Sequence, residues 1–124
     1  MKTIIFLFFA VCVISCGGNS GNDTTNTSSA KPEVKDPEAA KGLELITKSD
    51  CFACHKLTEK NIGPSYASVA QKYKILNDAT MDSIVTQINK GGKGKWGTIP
   101  MMPHPAISKE DAQSMAHYIM SIKP

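Results

Sequence analysis

Three kinds of hydrophobic pattern follow one another along the chain. Ile4 to Ile14 is an unbroken apolar run behind the short basic start Met1-Lys2-Thr3. A bilayer-spanning helix takes about 20 apolar residues, so this run is too short to span and has the length of a signal-peptide core. Gly17 to Ser29 is almost wholly Gly, Asn, Ser and Thr with a single Asp. It has nothing to bury, and its composition predicts disorder. Beyond it, apolar residues recur at helical spacing. One face carries Ala39, Leu43 and Ile46, and a second Tyr66, Val69, Ala70 and Tyr73. A third carries Met81, Ile84, Val85 and Ile88, and a last one Ala112, Met115, Ile119 and Ile122.

Capping residues set the ends of these segments. Asp36 is placed to N-cap a helix with Pro37 at its first position and Glu38 in its first turn, running to about Lys48. Pro64 opens the second helix. The third covers residues 80–89, where Gly91 stops it. Three prolines among the seven residues from Ile99 to Pro105 forbid a helix there. Ser108, with Asp111 three residues on, starts the last helix in the manner of a capping box. Residues 36–124 therefore form one all-α domain of four helices and loops, with no convincing strand. So small a domain has a thin core of its own.

The N-terminal run ends in Val13-Ile14-Ser15-Cys16, which resembles a bacterial lipobox. By that resemblance residues 1–15 are a removed leader, Cys16 carries lipid, and residues 16–35 are a tether to a periplasmic domain. A flexible segment of that length reaches about 20 Å. Fourteen lysines and no arginine stand against eleven acidic residues; loss of Lys2 lowers the formal charge from +3 to +2. That is too mild for a nucleic-acid binder, and no basic helix points to one. Lys56, Lys60, Lys72, Lys74, Lys90, Lys93 and Lys95 lie between residues 55 and 96. A lysine-rich surface there suits either an acidic partner or plain solvation.

The four cysteines do not imply two disulfides. Cys12 leaves with the leader and Cys16 is assigned to lipid. The remaining pair lies in Cys51-Phe52-Ala53-Cys54-His55, and C-x-x-C-H is the attachment site of a c-type haem. Two thiols at this spacing reach the two vinyl groups of one porphyrin, and the adjoining His55 ligates its iron. A thioredoxin-type pair would need a preceding strand, and a zinc site two further ligands in a usable pattern; neither is present. The second axial position has Met101, Met102, His104 and His117 as candidates, or stays vacant. The loop Trp96-Gly97-Thr98-Ile99-Pro100-Met101-Met102-Pro103 favours methionine, because prolines stiffen the backbone that presents a flexible thioether. Met81 and Met115, in helical stripes, read as core. His104, between two prolines, is expected to be exposed near the haem edge, and His117 to be at or near the surface.

With these motifs in order, the domain resembles a class I cytochrome c of the small bacterial monohaem kind. The resemblance rests on Cys51-x-x-Cys54-His55, on Gly63-Pro64-Ser65-Tyr66, and on the Trp96 to Met101 loop before a C-terminal helix. It implies four to five helices wrapped around one haem c, with His55 as proximal iron ligand. It also implies that the Pro64 carbonyl accepts the His55 imidazole N–H, that Trp96 binds a haem propionate, and that a methionine is the distal ligand. The spacing from Trp96 favours Met101 and the family's Met-Pro pairing Met102; Met101 is the expected distal ligand, with Met102 as the alternative. Gly42 and Tyr118 match a family contact between first and last helices, although Gly42 lies one residue farther from Cys51 than usual. The function implied is one-electron transfer by a non-enzymatic, monomeric carrier. Its partners would be membrane oxidases or reductases, other cytochromes, or a periplasmic enzyme. A haem domain with a labile distal ligand, sensing gas or acting as a small peroxidase, is the alternative. A peroxidase would want a distal acid–base pair, and no His/Arg pair is available.

The anchor can be checked directly. Cells fed labelled fatty acid should incorporate it into the wild-type chain and not into the Cys16→Ser variant; label retained after the substitution would rule lipidation out.

Overall fold

The computed structural model describes residues 34–123. The leader of residues 1–15, Cys16 and nearly all of the tether lie outside the described residues. Five helices follow in order: α1 (Pro37–Lys48), α2 (Cys51–Cys54), α3 (Tyr66–Tyr73), α4 (Asp78–Lys90) and α5 (Lys109–Ser121). Among the described residues there is no strand, only an isolated bridge between Gly92 and Met101. No described helix is long and apolar enough to cross a membrane.

The caps act where the sequence places them. The Asp36 side chain accepts from the Glu38 amide at 3.0 Å, and Ser108 Oγ accepts from the Asp111 amide at 3.1 Å. α4 starts two residues earlier than its apolar face suggests, because Asn77 Oδ1 caps the Thr80 amide at 2.9 Å. It ends at Gly91, whose φ of 64° is costly for any residue with a Cβ. α3 is capped by Ser65 and begins at Tyr66, so Pro64 precedes the helix instead of opening it. The motif cysteines occupy a separate helical turn, α2, which the apolar periodicity does not reveal.

α1 packs along α5, and this pair frames the core. Ala39, Leu43 and Ile46 from α1 meet Ala112, Met115, Ala116 and Ile119 from α5, all buried. Met115 is core as expected, and Met81 is half-buried against the same cluster. The two helices approach so closely because Gly42 has no side chain. A Cβ at Gly42 would lie 2.0 Å from the Ser114 carbonyl oxygen and 2.6 Å from its carbon. Polar contacts run along the same seam. Buried Ser114 donates its hydroxyl to Glu38 at 2.8 Å, and Lys41 pairs with Asp111 at 3.0 Å. That pairing raises the Lys41 pKa and lowers that of Asp111, mainly through the hydrogen bond between them.

In an exposed helix interior Gly→Ala stabilises by roughly 0.8–1.0 kcal/mol. At Gly42 the obstructing atoms are backbone, and overpacking of about 1–3 kcal/mol outweighs propensity. Gly42→Ala should therefore lower the thermal midpoint, by roughly 4–8 °C per net kcal/mol lost in a domain of this size. Calorimetry showing an unchanged or raised midpoint would refute the close-approach argument.

Candidate functional site: a thiol–imidazole turn facing an apolar cleft

The Asp50 carbonyl accepts from the Ala53 amide, and Cys51 O accepts from the His55 amide, both at 2.9 Å. These bonds close the short turn that presents Cys51, Cys54 and His55 to a cavity of about 570 Å³. The inner wall is apolar, built from Ile46, Ile84, Ile88, Met115 and Ile119, so the site is continuous with the core. Both cysteines are free and half-buried. Burial pushes the Cys51 thiol pKa up, and the neighbouring Asp50 carboxylate adds to the shift.

His55 is held on three sides. Its Nδ1 lies 2.7 Å from the Pro64 carbonyl oxygen. A carbonyl only accepts, so Nδ1 carries the proton and Nε2 keeps its lone pair for a metal. The Tyr66 ring stacks on the imidazole, with centroids 5.5 Å apart and planes 17° from parallel. Tyr66 is buried, meets Tyr118 edge-on at 6.3 Å, and has its hydroxyl pKa driven far up by burial. Gly63 closes the third side: a Cβ there would sit 2.5 Å from His55 Cε1. The Gly63 amide in turn donates to the Cys54 carbonyl at 2.9 Å, which folds the loop back onto the turn.

The loop after α4 completes the cavity wall. Met101 exchanges two main-chain hydrogen bonds with Gly92, at 2.8 and 3.1 Å, so its backbone is fixed. The side chain is half-buried, packs against the core cluster, and has Gln87 Nε2 at 4.0 Å from its sulfur. Met102 also lines the cavity but is 69 % exposed. Trp96 lines the cavity too, with Lys72 Nζ 4.2 Å above its ring. His104 is half-buried and bonded to Asp50, in place of the exposed position expected for it. His117 lies away from the cavity, its Nδ1 3.5 Å from an Asp36 oxygen. The expected residues Cys51, Cys54, His55, Pro64, Trp96, Met101 and Met102 thus share one cavity wall. Sequence reasoning missed Gly63 and Tyr66 as supports of His55, and Gln87 beside the Met101 sulfur. Tyr66 stood on a core helix face and in the Gly63-Pro64-Ser65-Tyr66 motif, neither of which assigned it to His55, and Gln87 gave no signal.

The residues fit a haem. The volume lies in the usual range for cofactor sites, about 300–1,000 Å³, the wall is apolar, and two thiols and an imidazole with a free nitrogen border it. Among the described residues no three His, Cys, Asp or Glu side chains converge on a metal. Fold and site together define a small all-α protein built around a covalently held porphyrin. Residues 39–123 match the family model described as Cytochrome c, and the chain belongs to that family. Cytochrome c-552 of Hydrogenobacter thermophilus is 42 % identical over 80 residues, covering 64 % of this chain and 80 % of the relative. Cytochrome c-551 of Pseudomonas denitrificans is 40 % identical over 82 residues, covering 66 % and 98 %. The crystal structure of Nitrosomonas europaea cytochrome c552 superposes with a TM-score of 0.60 at 36 % identity, covering 65 % of this chain and 99 % of that one. The protein accordingly carries one covalently bound c-type haem with iron, and it is an electron-transfer protein, not an enzyme.

The acceptor for His55 is a main-chain carbonyl, so Pro64→Ala should preserve the bond, whereas Gly63→Ala forces the ring to move. Gly63→Ala should lower the thermal midpoint of the haem-loaded protein by several degrees more than Pro64→Ala. Equal losses in the two variants would contradict the close packing at Gly63.

Proposed function

We propose that Cys51 and Cys54 bond the haem, that His55 and Met101 are its axial ligands, and that the protein shuttles single electrons outside the cytoplasm from a lipid anchor at Cys16. The observation that carries the reading is the shared cavity. Two thiols, an imidazole with Nε2 free, and a methionine with a doubly bonded backbone all border one apolar space. When bound, the haem supplies a ferrous/ferric couple whose potential a thioether ligand raises. The chain does the rest. Pro64 and Tyr66 orient the imidazole, the Gly92 pairing holds the thioether loop, and the apolar wall keeps water away. A distal loop paired to Gly92 through both the N–H and the C=O of Met101 favours a steady thioether ligand over the vacant site that gas sensing would need.

The rim suits a brief encounter with a redox partner. Ile62, Ile99 and Met102 border the cavity and are 52 %, 63 % and 69 % exposed. Lys60 and Lys93 border it as well. Lys72 and Lys95 are engaged within the protein: Lys95 Nζ lies 3.1 Å from Tyr73 Oη and 2.8 Å from Ser83 Oγ. These contacts are with neutral groups, so both lysines stay charged and exposed, with their ammonium groups held in place beside the cavity. A small apolar centre with a charged edge gives fast, short-lived association by a monomeric carrier.

The ligand assignment has a spectroscopic test. Ferric His/Met haem has a weak far-red sulfur-to-iron band. That band should be present in the wild type, lost in Met101→Ala and kept in Met102→Ala. The reverse result would transfer the role to Met102.

A further inference from the structure

We infer that His104 is a positioning residue whose side chain clasps the distal loop to the cysteine-bearing turn and so holds Met101 in place. This rests on the ligation by Met101 proposed above. His104 Nε2 lies 3.1 Å from Asp50 Oδ1, a contact across 54 positions of chain. Asp50 immediately precedes Cys51, and both partners line the haem cavity. On its main-chain side, the His104 amide donates to the Ile88 carbonyl at 3.0 Å near the end of α4. The Asn89 side chain donates to the Ile107 carbonyl at 2.7 Å and reaches the His104 carbonyl at 3.5 Å. A residue three positions after Met101 is thus bonded to α4 through its backbone and to the α2 turn through its ring. Pro103 and Pro105 on either side restrict the backbone that carries it. Among the described residues no other hydrogen bond joins residues 98–107 to residues 50–55.

The Asp50 carboxylate accepts from Nε2–H, and the other ring nitrogen, Nδ1, is buried with no hydrogen-bond partner. What the ring provides is a bond between two segments that must stay together for thiols and thioether to act on one haem. His117 offers an internal comparison. It too meets an aspartate, Asp36, at 3.5 Å, but neither residue borders the cavity.

The test is the rate at which excess cyanide binds the ferric, haem-loaded protein, because cyanide enters only when Met101 leaves. His104→Ala and Asp50→Ala should each speed binding about three- to fivefold, the factor expected for loss of one partly exposed hydrogen-bonded pair. The double variant should be no faster than either single one, since both remove the same contact. His117→Ala should leave the rate unchanged even where it lowers the thermal midpoint. Asp50 is 79 % exposed, so Asp50→Ala removes no packing and keeps the test valid should His104→Ala fold poorly. Single-variant rates within about twofold of wild type, or additive effects in the double variant, would overturn the clasp. A wild type that lacks the far-red band would instead overturn ligation by Met101; the band present with unchanged rates overturns the clasp alone.

Discussion

The crossing of α1 and α5 at Gly42 is the contact on which the rest of the structure depends. Two helices from opposite ends of the domain come within backbone distance, and only a residue without a Cβ permits it. Their shared face buries Ala39, Ile46, Ala112, Met115 and Ala116 almost completely. Because α1 ends at Lys48, its placement also decides where the α2 turn with its cysteines emerges. Because α5 supplies Met115 and Ile119, its placement decides what the haem cavity has for an inner wall. One steric constraint therefore positions both the attachment chemistry and the surface against which it works.

The site is supported mostly by main-chain atoms. The His55 ring is aimed by the Pro64 carbonyl, and the Met101 loop is held by a two-bond exchange with Gly92. Such contacts tolerate side-chain variation and need only that the loops keep their path. Glycines secure that path where space is shortest: Gly63 under the imidazole, and Gly91, where a Cβ would lie 2.3 Å from the Met101 carbonyl. The side chains that do take part, Tyr66 and Gln87, stand next to the two proposed iron ligands. A cytochrome c works by changing charge with little rearrangement, and rigid loops on a packed apolar wall suit that requirement.

Much of the fold was legible from local rules. Asp36, Ser108 and Gly91 mark helix ends by groups that bond within a few residues of themselves, and the apolar stripes follow the 3.6-residue period. The family relationship likewise follows from short motifs in order. Less legible were the features made by contacts distant in sequence. His104 turned from an expected exposed side chain into a half-buried one because Asp50, 54 positions away, meets it. Lys72 and Lys95, which read as free surface charge, are engaged on the Trp96 and Tyr73 rings and on Ser83.

The chain by itself determined the four longer helices, the caps at Asp36, Ser108 and Gly91, and the C-x-x-C-H spacing that points to a covalent haem, because each is written within one turn of backbone. Only the tertiary structure decided which methionine packs inward while its neighbour stays exposed, what orients the imidazole, and where the Lys72 and Lys95 ammonium groups are held. Those outcomes depend on how α1, α4 and α5 pack, and no window of sequence shorter than the domain contains that information.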